Sequence, residues 1–131
     1  MAQHEIEVIL TRELASYLAT AVFVVDPEGE LIYYNEPAER LLGTRFDETG
    51  PMAMSDWTSM FSATHENDQP LKAEQLPLVA ALQYGRPQHG RFRIRGLDGG
   101  RRLIEVTAIP LLGQAGRFVG AAALFWEAGE P

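Results

Sequence analysis

The sequence predicts a mixed α/β domain, and three observations carry that prediction. Short apolar runs rich in branched residues stand near both ends of the chain, bounded by tight turns. Between them lie segments with helical spacing and helix punctuation. The last three strand candidates are joined by turns so short that antiparallel pairing is nearly forced.

A chain of 131 residues, 46% of them hydrophobic, has the size and material for one core. No run reaches the roughly 18 apolar residues of a membrane span. The N-terminus, Met-Ala-Gln-His-Glu-Ile-Glu, lacks the basic-then-apolar order of a signal peptide. Cysteine is absent, which removes disulfides, thiolate nucleophiles and cysteine metal sites and suits a reducing cytoplasm. Eleven basic against eighteen acidic residues give a net charge of −7, and a surface of that sign repels nucleic acid. Five of the eleven cations, Arg91, Arg93, Arg95, Arg101 and Arg102, nevertheless fall close together.

Residues 4 to 19 carry apolar positions Ile6, Ile9, Leu10, Leu14, Tyr17 and Leu18 at helical spacing, opposite Glu5, Glu7, Arg12 and Glu13. The stripe packs either on its own domain or on the helix of a second copy. Ala21-Val-Phe-Val-Val25 reads as a buried strand, Asp26-Pro-Glu-Gly29 as a turn, and Leu31 to Tyr34 as the returning strand. Asn35 is an N-cap, Pro37 fits the first helical turn, Leu41 and Leu42 face inward, and Gly43 supplies the left-handed stop.

Residues 44 to 71 read as short helical turns, broken at Gly50-Pro51, in which Trp57, Met60 and Phe61 require burial. A helix is expected within 72 to 84, regular from about Leu76 because Pro77 belongs in a first turn. Arg91-Phe-Arg-Ile-Arg95 alternates, with Phe92 and Ile94 inward. Leu97-Asp-Gly-Gly100 is a hairpin turn. Arg102 to Leu111, ended by Pro110, and Phe118 to Trp126 complete the set.

Chemistry is sparse. His4, His65 and His89 stand in three separate segments, and His65-Glu66-Asn67-Asp68 has ligand types without a zinc or calcium spacing. No phosphate loop, dinucleotide fingerprint or nucleophile elbow occurs. These features predict neither an enzyme nor a metal site.

The segment Val24 to Asn35, then Ala38-Glu-Arg-Leu-Leu-Gly43, resembles the opening hairpin and first helix of the PAS domain, a sensory and interaction module. Asp68-Gln-Pro-Leu71 through Leu76-Pro-Leu78 to Ala81-Leu82 and Gly85 is similar to the long-helix region of a bacterial subgroup. Asp98-Gly99, Arg101-Arg102, Ile109-Pro-Leu111, Gly116-Arg117 and Gly120-Ala121 follow that family's closing hairpins. The resemblance implies a five-stranded antiparallel sheet in the order 2-1-5-4-3, helices on one face and an N-terminal amphipathic helix. Residues 1–19 then form that helix, 20–127 the sensor domain and 128–131 a tail. The family's usual Asp-Ile-Thr ending is replaced by Phe125-Trp126-Glu127. The initiating Met and the Gly-Glu-Pro ending point towards a free-standing protein whose output passes through a partner; an excised domain is the alternative.

The resemblance also limits cofactors. Flavin adducts and coumarate attachment in relatives need a cysteine, and haem is usually held by a histidine on the long helix, where residues 72 to 84 have none. Non-covalent flavin or a small metabolite stays open, so the ligand is unknown. The family's pocket lies between the inner sheet face and the helices. Alternation places Phe23 with Val25 and Ile32 with Tyr34, and Ala38 and Leu42 share a helix face. With Trp57, Phe61, Leu78, Leu82, Phe92 and Ile94 they are the candidate pocket lining or, equally, a filled core. Tyr34 faces the ligand in related photoreceptors; the alternative is a hydroxyl bonded to backbone or water.

Gly120-Ala-Ala-Ala123 leaves room for a ligand or for a helix. The arginine face is either solvated, with Glu105 opposite, or a dock for an acidic helix such as the N-terminal one. The expected role is sensing or protein interaction in bacterial signal transduction or transcription regulation. It would act as a homodimer through Ile6, Leu10, Leu14 and Tyr17, with a signalling protein or small molecule as further partner. Nucleic acid and membrane are not expected as direct partners. A ligand-free scaffold is the first rival and a small-molecule enzyme the second.

Overall fold

All five residues of β1 (Ala21–Val25) are buried, and a strand without an exposed position has cover on both faces. The computed structural model describes residues 6–128 and shows both covers. β1, β2 (Leu31–Tyr34), β3 (Gln88–Arg95), β4 (Arg101–Leu112) and β5 (Phe118–Glu127) form one antiparallel sheet in the order β2-β1-β5-β4-β3. Over its inner face lie α2 (Glu36–Leu42), α3 (Phe46–Thr49), α4 (Met54–Met60) and α5 (Pro77–Tyr84). α1 (Ile6–Ala15) lies across the outer face. His4, Glu5 and most of the 128–131 tail fall outside the described residues.

Asn35 ties the two layers together. Its side-chain oxygen accepts from the Ala38 amide at 3.2 Å, the N-cap bond of α2, and from the Val22 amide at 3.0 Å. Its amide group donates to the carbonyls of Ala15 and Thr20, at 2.8 and 2.9 Å. One buried side chain therefore starts α2, anchors β1 and holds the C-terminal end of α1.

A β-bulge corrects one expectation of strand phase. Val24 pairs with Tyr33 but Val25 pairs with Leu31, so Ile32 is the extra residue. Tyr34 therefore joins the inner core with Phe23, while Ile32 packs outward beside Val8, Val22 and Val24. Ile32 and Tyr34 do not share a face, because strict alternation fails across a bulge. Pro110 does not end its strand either: it pairs with Ala121 of β5 beyond the last β3 partner, Ala108, where its missing N–H breaks no ladder bond.

The long-helix region divides as Pro77 demands. Ala73–Gln75 is a short 3-10 turn, Pro77 opens α5, and Gly85 closes it in the left-handed region at φ 67°. β3 starts earlier than its alternating core suggests. Gly90 lies within it because a Cβ there would meet Cγ of Pro77 at 2.8 Å.

The apolar stripe of α1 does not face its own sheet. Val8 and Ala15 are 1% exposed and make the contact, whereas Ile6, Leu10, Leu14 and Tyr17 are 64%, 56%, 60% and 80% exposed. Arg12 steadies the helix by placing its guanidinium 4.9 Å from the centre of the Tyr33 ring.

Candidate functional site

The inner layer holds an apolar cavity of about 80 Å³ that is partly open at its rim. Its floor is sheet: Phe23 from β1, Phe92 and Ile94 from β3, Ile104 and Val106 from β4, Ala123 and Phe125 from β5. Register explains the grouping, since Phe23 pairs with Ala123 and Phe92 with Ile104, placing alternate residues of four strands on one face. The roof is Leu42 of α2, Trp57 and Thr58 of α4, Phe61, Ala63, Leu76, and Pro77 and Leu78 of α5. Thr58 and Ala63 are half-buried and mark the rim.

Polar groups at this wall are already satisfied. Trp57 Nε1 donates to the Gly29 carbonyl at 2.7 Å, and Thr58 Oγ1 donates to the Met54 carbonyl at 2.7 Å. The accepting residue is a glycine for a separate reason: Gly29 has φ 85°, and a Cβ there would meet Met54 Sδ at 2.8 Å.

Seven of the twelve residues expected from sequence line this cavity: Phe23, Leu42, Trp57, Phe61, Leu78, Phe92 and Ile94. Val25, Tyr34 and Ala38 belong to the same core without reaching the cavity wall. Leu82 is half-buried at the edge of that core, and Ile32 is on the other face. The Tyr34 hydroxyl donates to the Thr44 carbonyl at 3.1 Å and lies 3.4 Å from Thr49 Oγ1; burial holds its pKa above the usual 10.0. Its ring stacks on Phe23 and meets Phe46 edge-on, so this corner is filled core. Ile104, Val106 and Phe125 were missed although their period-2 alternation was visible; Thr58 and Pro77 lie on helices of two turns, and Ala63 and Leu76 on irregular chain, where no period shows.

The run of small residues divides between the two faces of the sheet. Ala123 lines the cavity, whereas Ala122 faces α1, and a Cβ at Gly120 would come within 3.4 Å of Val8. On the arginine face, Arg91 reaches Glu66 at 3.2 Å and Glu105 at 3.5 Å, and at the adjoining end of β4 Arg101 reaches Asp68 at 2.9 Å. These bonds turn the His65–Asp68 loop onto the sheet, and among the described residues no three His, Asp or Glu side chains gather to hold a metal. α1 of the same copy lies over β1, β2, β4 and β5 instead. Among the described residues no helix is long and apolar enough to cross a membrane.

At the far end, Arg102 Nη1 donates to the Leu41 carbonyl at 2.9 Å and Nη2 to Asp98 Oδ2 at 2.9 Å. Leu97 N–H donates to the Leu42 carbonyl. The β3–β4 hairpin thereby caps the C-terminus of α2. The Arg102 side-chain bond, helped by the Gly100 amide, holds the Asp98 carboxyl at about 2.

A family model described as PAS fold matches residues 17–131. The chain belongs to the PAS family. Solved PAS structures share its fold. A PAS domain from Colwellia psychrerythraea is 20% identical with a TM-score of 0.64, over 92% of this chain and 97% of that one. The LOV protein of Rhodobacter sphaeroides is 16% identical with a TM-score of 0.73, over 96% and 70%. The PAS domain of nitrogen regulation protein NR(II) from Vibrio parahaemolyticus is 20% identical with a TM-score of 0.62, over 91% and 98%. No curated protein matches. PAS domains are sensory and interaction modules of signalling proteins, and this domain is one of them.

Proposed function

We propose that this PAS domain is a signalling module that self-associates through α1 and takes its input from packing around the inner cavity. One observation carries the reading: β1 and β5 are shared by both layers. Phe23, Ala123 and Phe125 face the cavity, while their neighbours Val22, Val24 and Ala122 face α1. A change in the inner packing must act on the strands that seat the helix.

The mechanism is a shift of populations. A ligand or partner that favours one arrangement of the inner helices favours one seating of α1, by no more than its difference in affinity for the two arrangements. The output surface is the exposed row Ile6, Leu10, Leu14 and Tyr17, apolar positions that a second α1 would bury. Arg12 and Glu13 flank the row and allow polar contacts at its rim. No catalytic step belongs to this reading, and a cysteine-free chain suits work in the cytoplasm.

Sedimentation of wild type and of a Leu10→Glu/Leu14→Glu variant tests the association. Both side chains are exposed, so the variant keeps its fold. Wild type is expected as a concentration-dependent dimer and the variant as a folded monomer; a dimer that survives both charges overturns the assignment. A ligand-free scaffold is the second reading, favoured by the filled corner around Tyr34.

A further inference from the structure

The cavity wall is selective in a way the fold alone does not dictate. Of its fifteen lining residues, Thr58 is the one with a side-chain hydroxyl and Trp57 the one with a ring N–H, and both are bonded to backbone carbonyls. The remaining side chains offer carbon only. No titratable group lines the wall.

We infer that the cavity binds a compact, uncharged, apolar molecule, of the class of a small hydrocarbon or a single unsubstituted aromatic ring. The inference rests on the sensory reading above and names its ligand class. Two physical limits define it. A polar atom brought into this site meets no free partner, and a buried polar atom left unpaired weakens binding by roughly tenfold or more. Size is the second limit. Pockets for drug-sized ligands run to roughly 300–1,000 Å³, several times the 80 Å³ found here.

An apolar cavity of about 150 Å³ in another protein stays dry and takes benzene or xenon. At about 80 Å³ this cavity takes xenon without rearrangement, and benzene after a small outward movement of the rim. That rim is suited to movement, because Thr58 and Ala63 are half-buried and not held in the closed core. The carbon-lined floor is the rigid sheet, so displacement falls on the roof, which is what a sensor of occupancy requires.

The test is methyl NMR of the full chain under xenon pressure and with added benzene, then with phenol as the polar counterpart. Saturable shifts are expected at Leu78, Ile94, Ile104 and Val106, with none at exposed Leu112, and benzene is expected to bind about tenfold tighter than phenol. Leu78→Ala enlarges the cavity and should strengthen benzene binding; Ala123→Val fills it and should abolish xenon shifts. Absence of saturable shifts in both wild type and Leu78→Ala overturns the inference, as does phenol binding as tightly as benzene. Should Ala123→Val fail to fold, the Leu78→Ala comparison decides alone. Sedimentation of the same samples separates the two readings: lost ligand shifts with an intact dimer sink the ligand class, and intact shifts in a strict monomer sink the association.

Discussion

Ala122 and Ala123 are consecutive residues of β5 that serve opposite layers of the molecule. Ala123 stands across from Phe23 and lines the cavity, while Ala122 stands across from Val24 beneath α1. Both are nearly inaccessible, at 4% and 1%. A single peptide unit therefore separates the inner site from the seat of the outer helix, and the tests below follow from that closeness.

Asn35 should be the most sensitive polar position. Asn35→Ala removes an N-cap and leaves the Val22 amide and the Ala15 and Thr20 carbonyls short of a partner, for a loss of about 3 kcal/mol. Asn35→Asp keeps the cap oxygen but turns two donors into acceptors facing carbonyls. Urea unfolding should find it destabilised as well; if Asp restored wild-type stability, the bonds to α1 and Thr20 would be shown to contribute nothing.

Val8 and Leu10 should separate packing from association. Val8→Ala, under α1, costs about 2 kcal/mol of stability through lost burial and a small void. Leu10→Ala, on the exposed side, should leave the unfolding midpoint of the monomer within about 0.5 kcal/mol of wild type. Equal costs at both positions would mean that the helix is seated differently.

Acid should release the hairpin that caps α2. The Asp98 carboxyl is held at about 2, below its ordinary 3.8, first by the Arg102 side-chain bond. A carboxyl with a lowered folded value contributes its full stability above the unfolded value and loses it as pH falls through the folded one. Asp98→Asn should therefore be less stable than wild type at neutral pH, and the gap should close between 3.8 and about 2. Denaturant midpoints across that window check it, and a gap unchanged at the acid end contradicts it.

Tyr34 should matter for stability and not for the cavity. Tyr34→Phe removes the bond to the Thr44 carbonyl, at about 1 kcal/mol, and leaves the cavity wall untouched. Xenon-induced shifts at Val106 should be the same in both proteins. A changed response would place Tyr34 in the site after all.

Local punctuation made most of this fold legible in the sequence. Asn35, Pro37 and Gly43 bracket α2 where they stand, and the Leu97–Gly100 turn fixes the pairing of β3 and β4 because the chain has no other short way back. The bulge at Ile32 was not legible, since an extra residue leaves no mark in an unbroken run of apolar side chains. The sequence left open which way the stripe of α1 faces. Its larger apolar residues outline a stripe, yet close approach to Gly120 and Ala122 selects the smaller Val8 and Ala15 for the contact. The sheet half of the site followed alternation; the roof between Trp57 and Pro77 depends on tertiary packing of short turns, which no period announces.

The most direct test is the dimer dissociation constant of wild type and of Ala123→Val, measured by sedimentation equilibrium. The substitution touches the cavity and no surface residue, so it acts on association only through β5. The account predicts a dimerising wild type and a constant shifted about fivefold or more in the folded variant, in line with ordinary coupling between sites. A wild type that stays monomeric, or two identical constants, would contradict it.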